Sequence, residues 1–331
     1  MVKNSSVPEV QSSTIRRKLP KAFPVQELGV IFILIILIVV LAATAREKFL
    51  SPNTIFNMVR NFSWIAVTGF GELLVIIIAG IDLSVASTMA FAGLISAMLL
   101  VRGIPVPAAV FGGLVGGFLV GMVNGLLVSK GRLPAFIATL GMMSVVRGIV
   151  YGITQGQPVM NLPVEFMAIG RFDIPILSLK VPLPIIIMLS IALLVHIFLS
   201  KTIWGYRIYA MGGNEQSTRL SGVNTGRLKL LVFSLTGILA ATGGLLMTAR
   251  LGVAMPNGAL GYELDVIAAV FIGGASTSGG SGTTLGVLIG AAIMQVLRTG
   301  MVLLGIDPYW QNAAIGLIIL ISLMVDQLRR R

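Results

Sequence analysis

Long apolar runs separated by short polar breaks organise this chain from end to end. A bilayer crossing takes roughly 20 apolar residues. Ten runs of that character are read: Leu28–Ala45, Trp64–Ala79, Leu83–Val101, Val106–Val128, Ala135–Thr154, Val181–Leu199, Leu230–Ala249, Leu264–Gly274, Leu285–Gly305 and Tyr309–Val325. The second and eighth are the least regular. One long polar loop, from Lys201 to Lys229, stands between the sixth and seventh and holds five basic residues and one acid. The pattern predicts an all-α polytopic membrane protein of about ten transmembrane helices.

Charge orients those spans. With the N-terminus inside, the inner side holds 15 basic residues and the outer side 7; Arg147 and Arg298 fall within spans. Cytoplasmic loops of membrane proteins are enriched in Lys and Arg, so both termini are expected in the cytoplasm. The expected organisation is a cytoplasmic arm (1–27), one transmembrane domain (28–328) with its cytoplasmic loop at 200–229, and a basic tail (329–331). The first run ends Leu41-Ala42-Ala43-Thr44-Ala45, which mimics a signal-peptidase site. It is longer than a signal core of roughly 7–15 residues, and it is read as an uncleaved span. The outer stretch Gln155–Lys180 carries three prolines and predicts ordered turns or a short interfacial helix.

Composition narrows the classes. The chain is 56% hydrophobic and 11% charged, which no soluble domain of this size matches. It has no cysteine, so thiol chemistry and disulfides are absent. The single histidine, His196, reads as a packed or interfacial residue, and no metal site is expected. The net charge of +12 lies in loops beside apolar runs, which argues for a bilayer and against nucleic acid. No GxxxxGK[ST] phosphate loop occurs, so ATP cannot be bound in that way by this chain alone.

Two zones interrupt the spans. At Ala79-Gly80-Ile81-Asp82-Leu83-Ser84 an acid and a glycine separate one apolar run from the next, and Ser84 and Ser87 are placed to satisfy freed backbone groups. Asp82 reads either as the N-cap of a helix starting near Leu83 or as a polar residue on a transport path. The second zone, 273–283, is too glycine-rich for continuous helix. The similarity of the two zones hints at an internal repeat. Gly113, Gly117, Gly121 and Gly125 form a stripe for close helix packing, as do Gly286 and Gly290. Arg147, in the outer half of its span near Tyr151, Gln155 and Gln157, is expected to pair with Glu72, Glu263 or Asp265.

Several ordered stretches carry a resemblance. They are Ala79–Val85, Pro134–Met143 with Arg147-Gly148, Gly212–Glu215 with Arg219–Val223, Gly261–Ala269, and Gly273-Gly274 through Gly279–Thr283. With these the chain resembles the permease subunit of bacterial ABC importers for monosaccharides, of the ribose/arabinose/xylose type. The resemblance implies two permease copies forming the pathway. It also implies a separate cytoplasmic ABC ATPase that uses ATP, a periplasmic sugar-binding protein, and a place in the bacterial inner membrane. No cofactor is implied for the permease itself, and no enzymatic activity. The ATPase-coupling segment maps to Asn214, Glu215, Arg219, Leu220, Ser221, Gly222 and Val223. Gly222 falls one place later than in maltose-type permeases, which brings the segment closer to the vitamin-B12 type and implies a type II importer-like fold. That shift leaves open whether Glu215 serves as a salt-bridge partner. Candidates for the substrate path are Asp82, Ser84, Asn124, Arg147, Glu263 and Asp265.

From the residues alone the 201–229 loop reads either as an ordinary solvated loop or as a docking element. A helix capped by Asn214 would set Glu215, Arg219 and Leu220 together for docking in a groove. The alternatives are an ion-coupled secondary transporter of a small polar solute, for which only Glu72 and Asp82 are available, and an intramembrane enzyme, for which no nucleophile set exists. The resemblance, through the Phe136–Met143 and Gly273–Thr283 stretches, makes ribose the first expectation for the sugar.

Overall fold

The computed structural model describes residues 25–176 and 179–329. The N-terminal arm before residue 25 and the final two arginines, on which the orientation count leans, lie outside the described residues. In chain order come α1 (Val25–Thr44), α2 (Arg46–Phe49), α3 (Pro52–Ile77), α4 (Val85–Val101), α5 (Val106–Ser129) and α6 (Ala135–Thr154). Then follow α7 (Val164–Arg171), β1 (Asp173–Ile176), β2 (Leu179–Pro182), α8 (Leu183–Lys201), α9 (Ile203–Gly213) and α10 (Glu215–Leu220). The chain closes with α11 (Thr225–Leu251), α12 (Tyr262–Ile272), α13 (Thr284–Leu303) and α14 (Pro308–Arg329).

Six helices are long and apolar enough to cross a membrane: α3, α5, α6, α8, α11 and α13. α1 and α4 contain shorter apolar stretches. The chain is a helical, multi-pass membrane protein. α12, at 11 residues, rises about 16 Å and cannot cross a core of about 30 Å by itself.

α3 and α11 form the centre. Every residue of α3 from Ser63 to Ile77 is buried, because apolar or small residues, with Glu72 as the one acid, occupy its whole circumference there. The glycine stripe of α5 brings α11 close: a Cβ on Gly117 would overlap the carbonyl of Gly237, and one on Gly121 that of Phe233. Gly113 instead meets α4, at Ser96 and Ala92. Gly286 and Gly290 of α13 press on the backbone of Gly273 and Ala269 in the same manner.

Three departures from the sequence reading have physical causes. α3 starts at Pro52, three turns before Trp64. Ser51 caps it by accepting from Thr54 N, and Pro52 fits the first helical turn. The stretch after α6 contains the expected short helix, α7, but also an antiparallel hairpin of β1 and β2, with Asp173 opposite Pro182. The hairpin is a small exception to the all-α expectation, pinned by an Arg60–Asp173 ion pair at 2.5 Å. Finally, α4 begins at Val85 with Ser84 in the N-cap position, its hydroxyl turned to Asp82 and not to the helix, so Asp82 is not the N-cap.

Candidate functional site

The first interrupted zone is a buried turn held by side chains. Ile77 ends α3, and Ala79 takes a positive φ of 61° as the chain reverses. The N–H groups freed there find carboxylate and hydroxyl acceptors. Glu72 Oε1 accepts from Asp82 N at 3.0 Å, Asp82 Oδ1 from Ser84 N at 2.8 Å, and Thr139 Oγ1 from Leu83 N at 3.1 Å. The Ser84 hydroxyl donates to Asp82 Oδ1 at 2.6 Å, and Asn124 Nδ2 donates to Ser84 Oγ at 2.8 Å. Asp82, Ser84 and Asn124 thus come together as one network, joined by Glu72 and Thr139, which sequence reasoning did not place there. Ser87 does not share in it: its buried hydroxyl has no hydrogen-bond partner among the described residues. All five network side chains are buried.

A turn wired this way depends on its acceptors. Asp82→Ala removes the acceptor for two buried donors of Ser84 and is expected to cost about 1–3 kcal/mol. Asp82→Asn keeps one oxygen and should melt closer to the wild type. Thermal unfolding of the detergent-solubilised protein reads both. Should the alanine variant melt like the wild type, the carboxylate does not hold the turn.

The second zone meets the first. Gly280 N donates to Ile77 O at 2.8 Å, so the 273–283 loop is tied to the end of α3. A third piece of chain joins there. Gly212, near the end of α9, packs so closely that a Cβ would overlap both Ile77 O and Gly280 N. Tyr209, one turn earlier, donates its hydroxyl to Gly282 O at 2.7 Å. Burial pushes the Tyr209 phenol up from its usual range, which keeps it a donor throughout the physiological interval.

α10 stands beside this junction. Asn214 caps it, accepting from Ser217 N at 2.8 Å, as its position before Glu215 predicted. Gly222 ends the turn after it with φ of 84°, the left-handed region that glycine occupies without strain. Glu215 bonds within the chain, to Lys229 Nζ at 2.7 Å at the start of α11. Leu220 is 82% exposed, an apolar side chain held out from the protein. Between α10, the 78–80 turn and the α5–α6 loop lies a cavity of about 770 Å³, bounded by Gly80, Arg132, Ala135, Glu215 and Arg219.

The remaining candidates sit elsewhere. Arg147 makes no ion pair with Glu72, Glu263 or Asp265 among the described residues. It donates to the backbone carbonyls of Pro256 and Gly258 at 2.8 and 2.9 Å, which fastens α6 to the loop before α12. Glu263 turns back to accept from Gly261 N at 3.1 Å at the head of its own helix. Asp265 is wholly buried and pairs with Arg298 Nε of α13 at 2.6 Å. His196 is exposed on α8, with Nδ1 3.3 Å from Thr284 Oγ1.

Beyond its bundle of apolar helices, the chain is placed by its family match among membrane transport components, and it is not itself an enzyme. The chain belongs to the family described as branched-chain amino acid transport system / permease component, which it matches over residues 54–323. Its relatives include ribose import permease protein RbsC of Escherichia coli (strain K12), 39% identical over 322 residues, covering 96% of this chain and 98% of that one. RbsC of Bacillus subtilis (strain 168) is 38% identical over 304 residues, 91% of this chain and 93% of its own. D-allose transport system permease protein AlsC of Escherichia coli (strain K12) is 34% identical over 301 residues, 91% of each. No solved structure matches the chain.

Proposed function

We propose that this chain is the membrane-spanning subunit of an ATP-driven importer that carries a monosaccharide, ribose first, across the bacterial inner membrane. The observation that carries the reading is the near-full-length identity to ribose permeases, with a D-allose permease behind them. The chain crosses ten times with both ends in the cytoplasm, α12 making its crossing together with the irregular segments on either side of it, which puts α9 and α10 on the cytoplasmic side. A separate ABC ATPase docks there, on Asn214, Glu215, Arg219, Leu220, Ser221, Gly222 and Val223. A periplasmic sugar-binding protein delivers the solute from the other side, and a second permease copy completes the pathway. The short polar arm (1–27) and tail (329–331) flank one transmembrane domain (28–328).

Support for the docking role comes from the α10 surface: a pre-capped helix that leaves its apolar residue in solvent suits insertion into a groove. The path residues divide in this reading. Asp82, Ser84 and Asn124 stand behind the cavity beside α10, on the exit side, while Arg147, Glu263 and Asp265 stand toward the opposite end. The ion-coupled alternative would draw on Glu72 and Asp82, and both carboxylates are already bonded to backbone N–H groups of the turn.

The test is uptake of labelled ribose, arabinose and allose by the whole transporter in proteoliposomes. ATP-dependent uptake of at least one is expected, and it should vanish when the phosphate-loop lysine of the partner ATPase is replaced. Uptake that persists in that variant would overturn the importer reading.

A further inference from the structure

At the end of the bundle away from α9 and α10, two polar helix faces look at one another. On α3, Thr54, Asn57 and Asn61 share one face, and on α13 Gln295, Arg298 and Thr299 share another. Between them lies a cavity of about 330 Å³, completed by Tyr262 of α12 and Gln311 of α14. Small-molecule sites run from roughly 300 to 1,000 Å³, so the space suits a small solute. Amide side chains buried among apolar helices are expensive unless they are hydrogen-bonded, and each amide here uses only part of its hydrogen-bonding capacity within the chain. Gln295 and Gln311 line this cavity although only 7% and 6% of their surface is exposed.

The charge of the lining narrows the ligand. Arg298 is neutralised by Asp265, which is itself wholly buried. Among the described residues, no other charged side chain lines the cavity; Arg250 stands just outside it, committed to Asn57 Oδ1 at 2.6 Å. A phosphate or carboxylate would call for an uncommitted cation, and these residues offer none. They offer amides and hydroxyls instead. An amide carries both an acceptor and two donors, which matches a hydroxyl that gives one hydrogen bond and takes others. Gln295 Nε2 donates to Thr299 Oγ1 at 3.0 Å and Gln311 Nε2 to Ile306 O at 3.2 Å, which fixes the planes of both amides. The Tyr262 ring, with the Arg298 guanidinium over its face 5.2 Å from its centre, adds an aromatic side to the lining.

We infer that this cavity is a binding site for a neutral polyhydroxylated small molecule, one monosaccharide per subunit, on the side where the solute arrives. The inference rests on the sugar-import reading and adds a site within a single chain that this reading does not require. Gln295, Asn61 and Thr299 supply the hydrogen bonds, and the Asp265–Arg298 pair keeps the lining neutral.

The experiment compares the wild-type transporter, complete with ATPase and binding protein, with Gln295→Leu, Asn61→Leu and Thr299→Val in proteoliposomes. The KM for ribose is expected to rise about tenfold in the leucine variants, with the rate at saturating ribose retained. Thr299→Val, which changes shape least, should raise it in the same direction and covers the case in which a leucine variant fails to fold. Calorimetric titration of ribose into the wild-type permease alone should give saturable binding that Gln295→Leu weakens. An unchanged KM in all folded variants, or no binding to the wild-type permease, overturns the site while leaving sugar import intact. A phospholipid retained by the wild type in native mass spectrometry and lost from Gln295→Leu overturns it as well. Absence of any ATP-dependent sugar uptake by the wild type overturns the import reading, and the titration still decides the site.

Discussion

Gly212→Val is expected to abolish ATP-driven uptake. The position is where α9, the end of α3 and the 273–283 loop touch backbone to backbone. Over-packing an interior costs typically about 1–3 kcal/mol when side chains can shift aside. Here the obstacles are Ile77 O and Gly280 N, main-chain atoms engaged with each other in a 2.8 Å hydrogen bond. Relief requires α9 to move away from both interrupted zones. If motion of a docked ATPase reaches the spans through α9 and α10, that contact is the first link inside the membrane domain. Uptake in cells, with the amount of membrane-inserted protein and its melting temperature measured alongside, checks the expectation. The variant should insert, melt lower and not transport. Wild-type transport by Gly212→Val would mean that the junction carries no motion.

How far the fold could be read depended on whether the relevant force was local. The cap of α10 was legible because Asn214 before Glu215 is a local signal, and the structure places the cap bond there. The start of α3 was hidden because Asn53, Asn57, Arg60 and Asn61 lower the hydropathy of its first turns, although Ser51-Pro52 is a helix-start signature. The hairpin at β1 and β2 is too short and too proline-rich to announce itself. Its anchor, Arg60, lies far away in the chain.

The site divides in the same way. Asp82 and Ser84 were legible as a polar break, and their bond is between near neighbours. Glu72 was named as a partner for Arg147 and as a carboxylate for the ion-coupled alternative, never as part of the turn. It turns out to serve the reversal ten residues later, which depends on how α3 ends and not on composition. Arg147 could not have been paired correctly from sequence, since its partners are carbonyls that every residue possesses. The cavity between α3 and α13 was missed because neither face looks unusual until the two helices are brought together.

Leu220→Asp should produce the cleanest separation of docking from folding. Leu220 is 82% exposed and ends a helix fixed by its own cap, so the substitution removes almost no packing inside the subunit. Surface changes of this kind usually alter stability by within about 0.5 kcal/mol. Burying a leucine in a partner's groove is worth roughly 1.5–3 kcal/mol, which corresponds to about ten- to a hundredfold in affinity. Aspartate forfeits that gain and adds a charge that the groove would have to desolvate. The variant is therefore expected to reach the membrane in normal amount, keep its melting temperature, and lose both ATPase binding and uptake. Pull-down of the partner ATPase measures the first loss and labelled-ribose transport the second. Normal ATPase binding by Leu220→Asp would remove α10 from the docking surface. Glu215 would then be left as a local tie to Lys229, an exposed pair worth at most about 1 kcal/mol.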